Sequence, residues 1–423
     1  MDTTITHMLK QLFSRDDVLG WARMVGAVVR LRDIHPADLA CALVASALGD
    51  EERSIATARR QFDRLTGFMP EESSFYDRFK PGLAAMMKLL WLRALSHCKR
   101  KQRRRLARLL GVGIKDLRVI DGTQVSLPAR ASETYPSTHK VLGGFKLTAT
   151  LSLVNDVLVS ARLTDARQHD RKAFVLGADV KGVLHLFDRG YCDHHLFAEI
   201  DLAGGFFLIR LKSSSIPRLR DVRSGVGRKH IGKRLDSELA YRGIVDVDAD
   251  FNLGHNKSST FRMISIPVRE RRGRRTHTTY VELVTNLSPD RFSAEAIGEL
   301  YRLRFAVESF FKVLKTVGRF DQIQSEKPEV IEAFAFATLL GVTIAHGVCA
   351  AMRTERPNIE PSTHRVAILT LAYLPRLVDA LGTVHLRGAI AQFIRALWRE
   401  GVNPNPGRPY ATTRHVVSVE ECR

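Results

Sequence analysis

The sequence predicts an α/β protein in which a central group of strands lies between two helical regions. In the N-terminal part, apolar residues recur at three- and four-residue spacing, which is typical of amphipathic helices. Short apolar runs bounded by turn residues then predict strands, and a β-rich insertion with alternating segments interrupts them before helical spacing returns. These features predict five segments, with bounds at 1–112, 113–212, 213–278, 279–322 and 323–423.

The N-terminal segment is predicted to be helical and to end in a basic run. Pro36 and Asp38 mark a helix start. The apolar residues that follow on one face are Leu39, Ala42, Leu43 and Ala47. The basic run consists of Lys99, Arg100, Lys101, Arg103, Arg104, Arg105 and Arg108. Such a run is usually a solvated helix face, and in a basic protein it also suits a surface that contacts phosphates.

The central segments contain apolar runs of the kind that form sheet strands. Four of them are 145–163, 183–188, 206–212 and 280–287. The first predicts two strands around an Asn-Asp turn. The second and third lack alternation, as expected of strands that are buried on both faces. Residues 194–203 predict a helix between the second and third runs.

The charge balance restricts the partners of this chain. Its 423 residues include 65 Lys and Arg against 45 Asp and Glu, which gives a formal charge of +20. A positive excess of this size favours polyanionic partners, and nucleic acid is the commonest of them. A generally basic protein from an Arg-rich genome has the same balance, so charge alone does not distinguish the two.

The cysteines and the apolar windows predict a soluble protein of the cytoplasm. The five cysteines form no Cys-x-x-Cys pair, so we expect reduced thiols and no structural zinc. The first residues lack the basic start and apolar stretch of a signal peptide. The most apolar later window, 333–351, contains His346 and is short for a membrane span, so we expect a buried helix there.

A predicted helix from Ser293 to Gly318 presents two rows of residues. One row is an apolar stripe that faces a core: Leu300, Leu303, Val307, Phe310, Leu314 and Val317. The second row lies beside it and consists of Tyr301, Arg304, Glu308 and Lys315. This row brings a phenol, a guanidinium, a carboxylate and an ammonium to one face. A solvated flank with i, i+4 ion pairs would have the same spacing.

Two aspartates are predicted at strand ends. Asp121 follows the apolar run LRVI, in a strand that we expect to break at Gly122, and Asp188 follows VLHLF. An aspartate at a strand end is often only a turn residue. If the two strands are neighbours, however, the carboxylates converge at one edge of the sheet. A divalent cation such as Mg²⁺ or Mn²⁺ would then relieve their repulsion.

Together these segments resemble the DDE transposases of the insertion-sequence-four family of bacterial mobile elements. The resemblance rests on DGT at 121–123, on DRGY at 188–191, and on the Y-x-x-R-x-x-x-E-x-x-x-x-x-x-K pattern filled by Tyr301, Arg304, Glu308 and Lys315. It covers about 114–320 and is looser in the N-terminal part, where SSFYDRF at 73–79 belongs to it.

The resemblance implies a fold and a chemistry. The implied fold is a ribonuclease-H-like core, a mixed five-stranded sheet with flanking helices, with the β-rich insertion between the second Asp and the Glu. The implied chemistry uses two ions, Mg²⁺ or Mn²⁺, held by Asp121, Asp188 and Glu308. These ions would activate a water or a 3′-hydroxyl and stabilise the leaving 3′-oxygen during strand cleavage and strand transfer.

The resemblance also implies DNA contacts and partners. Arg304 and Lys315 would contact phosphates near the cut, and Tyr301 and Arg189 are assigned to DNA with them. Family members typically form hairpin ends, and Tyr280 is our hypothetical stacking residue for an extruded base. A strand-surface aromatic is an equally good interpretation of Tyr280. The N-terminal helices would bind the terminal inverted repeats, and the C-terminal helices would support a homodimer or simply complete the fold.

Three other functions remain open at this point. A structure-specific nuclease with the same core, such as a junction resolvase, would cut double-stranded DNA without joining it. A domesticated transposase would bind DNA without catalysis, although the three carboxylates are intact and inert relatives usually lose one. A basic RNA-binding protein would explain the charge but not the motifs.

Overall fold

The computed structural model describes most of the chain. The described residues are 1–48, 52–98, 110, 113–138, 142–155, 157–235, 241–254, 257–272, 275–316, 319, 322–381 and 383–404. The predicted basic run and Gly318 lie outside these residues, so the predictions made for them stay untested.

Helices form the described parts of the N- and C-terminal regions, as predicted. The N-terminal helices are α1 (Asp2–Phe13), α2 (Arg15–Met24), α3 (Pro36–Leu48), α4 (Ile55–Thr66), α5 (Glu72–Tyr76) and α6 (Pro81–Cys98). The middle and C-terminal helices are α7 (Asp170–Ala173), α8 (His194–Leu202), α9 (Ala294–Arg302), α10 (Phe305–Thr316), α11 (Pro328–Glu355), α12 (Thr363–Asp379) and α13 (Leu386–Glu400). The start of α3 at Pro36 and the burial of its apolar face are as predicted.

The strands of the described residues form one continuous sheet. They are β1 (Asp116–Leu127), β2 (Gly143–Ser152), β3 (Val157–Asp165), β4 (Val183–Phe187), β5 (Phe206–Arg210), β6 (Arg218–Ser224), β7 (Val245–Gly254), β8 (Lys257–Arg272) and β9 (Arg275–Thr285). The spatial order is β3-β2-β1-β4-β5-β9-β8-β7-β6. β1, β4 and β5 are parallel, whereas the other neighbours are antiparallel. The buried strands predicted at 183–188 and 206–212 are confirmed as β4 and β5.

The β-rich insertion extends the sheet instead of forming a separate subdomain. β9 crosses the predicted boundary at 278 and pairs with β5 on one side and β8 on the other, so the strands of the insertion continue the sheet beyond β5. The physical reason is a shared core. Phe197 of α8 stacks on Phe207 of β5 with ring centres 4.8 Å apart, and Phe207 meets Phe261 of β8 edge-on at 5.1 Å.

The N- and C-terminal helices pack together over the opposite face of the sheet. Trp91 of α6 stacks on Phe336 of α11 with ring centres 5.8 Å apart. The core that these helices share also includes Val119 of β1 and Leu186 of β4. α11 confirms the predicted buried helix but is longer than the apolar window suggested. By length and composition it is the one candidate membrane span among the described residues, and 83% of its most apolar window is buried in the fold.

Candidate active site

The register of two parallel strands places Asp121 and Asp188 side by side. Ile120 of β1 pairs with Phe187 of β4, and this is the last pair between the two strands. Each aspartate is the next residue in its chain, so the register continues to both of them. Because side chains alternate along a strand, the two carboxylates lie on the sheet face that the C-terminal helices cover, like Val119.

The predicted break in the first strand is wrong. β1 runs without interruption from Asp116 to Leu127, so Asp121 lies in the middle of a strand. The physical reason is that β1 has two neighbours of unequal length. β2 pairs with β1 as far as Leu127, whereas β4 pairs only as far as Ile120. Asp121 is therefore at the end of the parallel pairing, although the strand continues.

The predicted single helix over 293–318 is also wrong, because the chain forms two helices that meet at Leu303 and Arg304. Ser293 caps α9 as predicted, with its hydroxyl accepting from the amide of Ala296 at 3.2 Å. The amides of Leu303 and Arg304 then bond to carbonyls three residues earlier, at 3.1 and 3.0 Å, which tightens the last turn. α10 restarts at Phe305 and carries Glu308 in its first turn.

Arg304 stands at this junction and faces all three carboxylates of the triad, Asp121, Asp188 and Glu308. Its terminal nitrogens lie 2.8 Å from a Glu308 oxygen and 3.4 Å from an Asp121 oxygen. Its Nε lies 4.0 Å from Asp188. The guanidinium side chain is only 11% exposed, whereas those of Asp188 and Glu308 are more than 40% exposed. The three sequence-predicted carboxylates are thus brought together around one cation.

Asp121 is the most deeply buried carboxylate of the triad. Burial raises the pKa of Asp121 from its ordinary value of 3.8 to about 6. The amide of Gly122, which donates to Asp121 Oδ1 at 2.7 Å, and the charge of Arg304 both oppose this rise. The negative charges of Asp188 and Glu308 add to it. The site therefore disfavours a third negative charge unless a cation compensates it.

Tyr301 contacts the backbone next to Asp188. Its hydroxyl donates to the carbonyl of Phe187 at 3.3 Å, and this hydrogen bond joins helix α9 to the last residue of β4. Burial raises the pKa of Tyr301 above its usual range, so the phenol stays protonated and remains a donor. In this structure Tyr301 therefore supports the strand end that carries Asp188.

The remaining sequence-predicted residues lie around this centre. Lys315 is exposed in the last turn of α10, and Arg189 is exposed in the short turn after Asp188. Tyr280 lies within β9, with its hydroxyl 3.4 Å from the carbonyl of Tyr241 and the two rings edge-on at 5.1 Å. Tyr280 thus belongs to the part of the sheet built by the insertion.

Two residues of this region were missed from sequence. Lys146 is 6% exposed in β2 and forms an ion pair with Asp170, the first residue of α7, at 2.8 Å. The signal was present, because Lys146 interrupts an apolar run (FKLTATLSL) in a strand that is buried throughout. A charged residue in such a strand needs a partner.

The donor chemistry of the triad suits a hard divalent cation. Its ligand atoms are all carboxylate oxygens, as Mg²⁺ and Mn²⁺ prefer. As they stand, no three His, Cys, Asp or Glu side chains of the described part of the chain form a metal-binding cluster. The carboxylates face Arg304 instead, and this shows that they converge on a position that a cation favours.

Comparison with known proteins shows the family of this chain. The family model for the transposase DDE domain matches residues 113–344. This match covers more than half of the chain and includes the whole triad, and the chain belongs to this family.

Individual relatives match this chain over part of its length. The transposase for insertion sequence element IS421 from Escherichia coli is 41% identical over 61 residues, which is 14% of this chain. The chain covers only 16% of that relative's length. A Sinorhizobium fredii protein named as transposase y4zB is 23% identical over 242 residues, 57% of this chain and 63% of that protein. The structure of a piggyBac transposase synaptic complex with hairpin DNA aligns with a TM-score of 0.44 and 12% identity, over 97% of this chain and 88% of that one.

Proposed function

We propose that this protein is a DNA transposase that cuts the ends of an insertion sequence and joins them to target DNA with the help of divalent metal ions. The observation that carries the proposal is the convergence of Asp121, Asp188 and Glu308, from two adjacent strands and one helix, around Arg304. Membership of the transposase DDE domain family supports it.

The strand order supports a ribonuclease-H-like core as its fold. Five strands in the order β3-β2-β1-β4-β5 are antiparallel at β3, β2 and β1 and parallel from β1 to β5. Helices cover both faces, with α8 on one face and α10 and α11 on the other. In this proposal β6 to β9 are a family insertion that has become continuous with the core sheet.

The triad would hold two ions, Mg²⁺ or Mn²⁺, through the oxygens of Asp121, Asp188 and Glu308. When bound, such ions activate a water or a 3′-hydroxyl and stabilise the leaving 3′-oxygen of the scissile phosphate. The protein's own contribution is to hold the carboxylates at fixed positions. The rigid register of β1 and β4 does this for Asp121 and Asp188, and the first turn of α10 does it for Glu308.

Arg304 has a second role in this proposal. Its guanidinium compensates the carboxylates and must turn away from them when cations compete for the same oxygens. A guanidinium released at this position can bind a phosphate through two parallel hydrogen bonds. Lys315 is exposed on α10, the helix that carries Glu308, and Arg189 is exposed in the turn after Asp188. Both would contact DNA phosphates, Lys315 as a point charge and Arg189 through its planar fork.

Hairpin formation is a further part of the proposal and assigns a base-stacking role to Tyr280. The ring of Tyr280 is half-buried against Tyr241, so its free face is limited. If Tyr280→Ala reduces hairpin yield while first-strand nicking proceeds, and Tyr280→Phe restores it, the ring stacks on a base. Unchanged hairpin yield in Tyr280→Ala would remove Tyr280 from the site.

The partners proposed are the terminal inverted repeats, the target DNA and a second copy of this chain in the DNA complex. The N-terminal helices would bind the repeats and the helices after residue 323 would support the dimer. We place this action in the bacterial cytoplasm because the substrate is chromosomal DNA. Footprinting of the element ends and the mass of the DNA complex test these assignments.

Strand transfer separates this function from that of a nuclease. A labelled duplex with a pre-cut element end and a free 3′-hydroxyl is incubated with the full chain, Mn²⁺ and a plasmid target. Joined product supports the transposase, and the same reaction with a 3′-deoxy end is the matched control. Cutting of intact ends without any joining of pre-cut ends would favour a nuclease.

A further inference from the structure

The ion pair between Lys146 and Asp170 lies directly behind the triad. Lys146 Nζ donates to Asp170 Oδ1 at 2.8 Å and to the carbonyl of Gln168 at 2.5 Å. These contacts tie the start of α7 and the loop before it to strand β2. The Lys146 side chain is 7% exposed and that of Asp170 is 36% exposed, so the ammonium is withdrawn from water and its partner is partly solvated. Loss of Asp170 would leave the charge of Lys146 buried and uncompensated.

Strand register shows on which side of the sheet this pair lies. Lys146 pairs with Gln124 of β1, and Thr148 pairs with Gly122. Alternation puts these residues on the face opposite to the Asp121 carboxylate. The pair therefore contacts the rear of the strand that presents Asp121, while the triad occupies the front.

Asp170 also fills the space behind the second aspartate. A methyl group built at Gly190, two residues after Asp188, would lie 2.5 Å from Asp170 Oδ2. A methyl group built at Gly122 would lie 3.5 Å from Asp170 Oδ1, an ordinary contact. One carboxylate thus lies where a side chain at either glycine would project, behind the residues that follow the two strand-borne aspartates, and Gly190 leaves the room for it.

We propose that Lys146 and Asp170 are positioning residues that hold the rear of both strand ends and thereby fix the separation of the Asp121 and Asp188 carboxylates for metal binding. The ion pair acts through the backbone, since neither residue lies on the face of the triad. Gly190 is glycine in this proposal because a side chain would push Asp170 away from Lys146. The inference rests on the proposed metal-dependent function of the triad.

Binding of Mn²⁺ to the full chain, measured by electron paramagnetic resonance without DNA, tests this role apart from catalysis. We expect Lys146→Met and Asp170→Asn to weaken Mn²⁺ binding by about 10-fold, as loss of an outer hydrogen-bond partner typically does at metal sites. The control is Asp246→Asn. It breaks another buried ion pair, with Arg262 at 2.6 Å in the insertion, and should lower stability without changing Mn²⁺ affinity.

Substitutions at two glycines give a second test, which does not remove any charge. Gly190→Ala should weaken Mn²⁺ binding because it displaces Asp170. Gly177→Ala is its matched control, because a methyl group there would lie 2.7 Å from a different carboxylate, that of Asp179. In an Asp170→Ala background, Gly190→Ala should have no further effect, since the group that it displaces is gone.

The outcomes distinguish this inference from the proposed function. If wild type binds Mn²⁺ and Asp188→Asn, Lys146→Met and Gly190→Ala all bind it more weakly, the result supports both the positioning role and the proposed function. If folded Lys146→Met and Gly190→Ala bind Mn²⁺ with wild-type affinity while Asp188→Asn loses binding, the positioning role is overturned. The proposed function then still stands. No dependence of Mn²⁺ binding on Asp188 overturns both.

Discussion

Replacing Asp121 by Asn is expected to stabilise the metal-free protein at neutral pH while removing the activity that we propose for it. Burial raises the pKa of Asp121 to about 6 in the folded protein, from 3.8. The folded state therefore binds the proton more tightly than the unfolded chain does. For a raised pKa of this kind, stability falls as the pH increases from about 4 to about 6 and stays low above it.

The rise in pKa sets the magnitude of this effect. It corresponds to about 3 kcal/mol of unfolding free energy at pH 8, and roughly half of this cost is present at pH 5. Asn keeps an acceptor for the amide of Gly122, which lies 2.7 Å from the carboxylate oxygen. The pKa of about 6 already includes the opposing attraction of Arg304 at 3.4 Å, so we expect Asp121→Asn to be about 3 kcal/mol more stable than wild type at pH 8, and roughly half of that at pH 5.

Urea unfolding at pH 5 and pH 8, with EDTA present, measures the difference, provided that both proteins have the same dependence on urea. Asp179→Asn is the control with the opposite sign. Arg118 donates to Asp179 and lowers the pKa of that carboxyl, so its ionised form stabilises the fold at both pH values and the variant should lose stability at both. A stability difference between wild type and Asp121→Asn that is equal at pH 5 and pH 8 would refute the reasoning.

Three further substitutions test neighbouring groups. Tyr301→Phe loses the hydrogen bond to the Phe187 carbonyl, so its unfolding free energy in urea should fall by about 1 kcal/mol while its DNA affinity stays unchanged. Unchanged stability with weaker DNA binding would instead place the hydroxyl on DNA. Arg304→Lys keeps the charge but loses the planar fork, so cleavage at saturating Mn²⁺ should slow by about tenfold or more, and an unchanged rate would remove the fork from the site. Lys315→Ala should have an unfolding free energy within about 0.5 kcal/mol of wild type, because Lys315 is exposed. It should reduce the slope of log DNA affinity against log salt concentration by about 0.9, and an unchanged slope would show that Lys315 contacts no phosphate.

Local patterns predicted the elements that carry the site. The apolar run at 183–188 identified β4 because a strand buried on both faces lacks the alternation of polar and apolar residues. The hydroxyl of Ser293 identified the start of α9 because helix caps depend on neighbouring residues only. The two aspartates and the glutamate could be named from sequence because their spacing matched a known family.

What the sequence did not reveal depends on contacts between distant residues. Asp121 was placed at a strand end, but pairing with β2 carries the strand on to Leu127. The turn at Arg304 leaves the three- and four-residue spacing almost intact, so periodicity could not detect it. The partner of Lys146 lies 24 residues away at Asp170, in a short helix without a sequence signal.

Metal-dependent cleavage at the native element end tests the central proposal most directly. A labelled duplex that carries this end is incubated with wild type or Asp188→Ala, in Mg²⁺, in Mn²⁺ and in EDTA, and DNA binding is measured in parallel. We expect wild type to nick the element end with either metal and not in EDTA, and Asp188→Ala to bind the duplex without cutting it. Cleavage by Asp188→Ala at the wild-type rate, or equal binding by both proteins with no cleavage in either metal, would contradict a metal-binding triad.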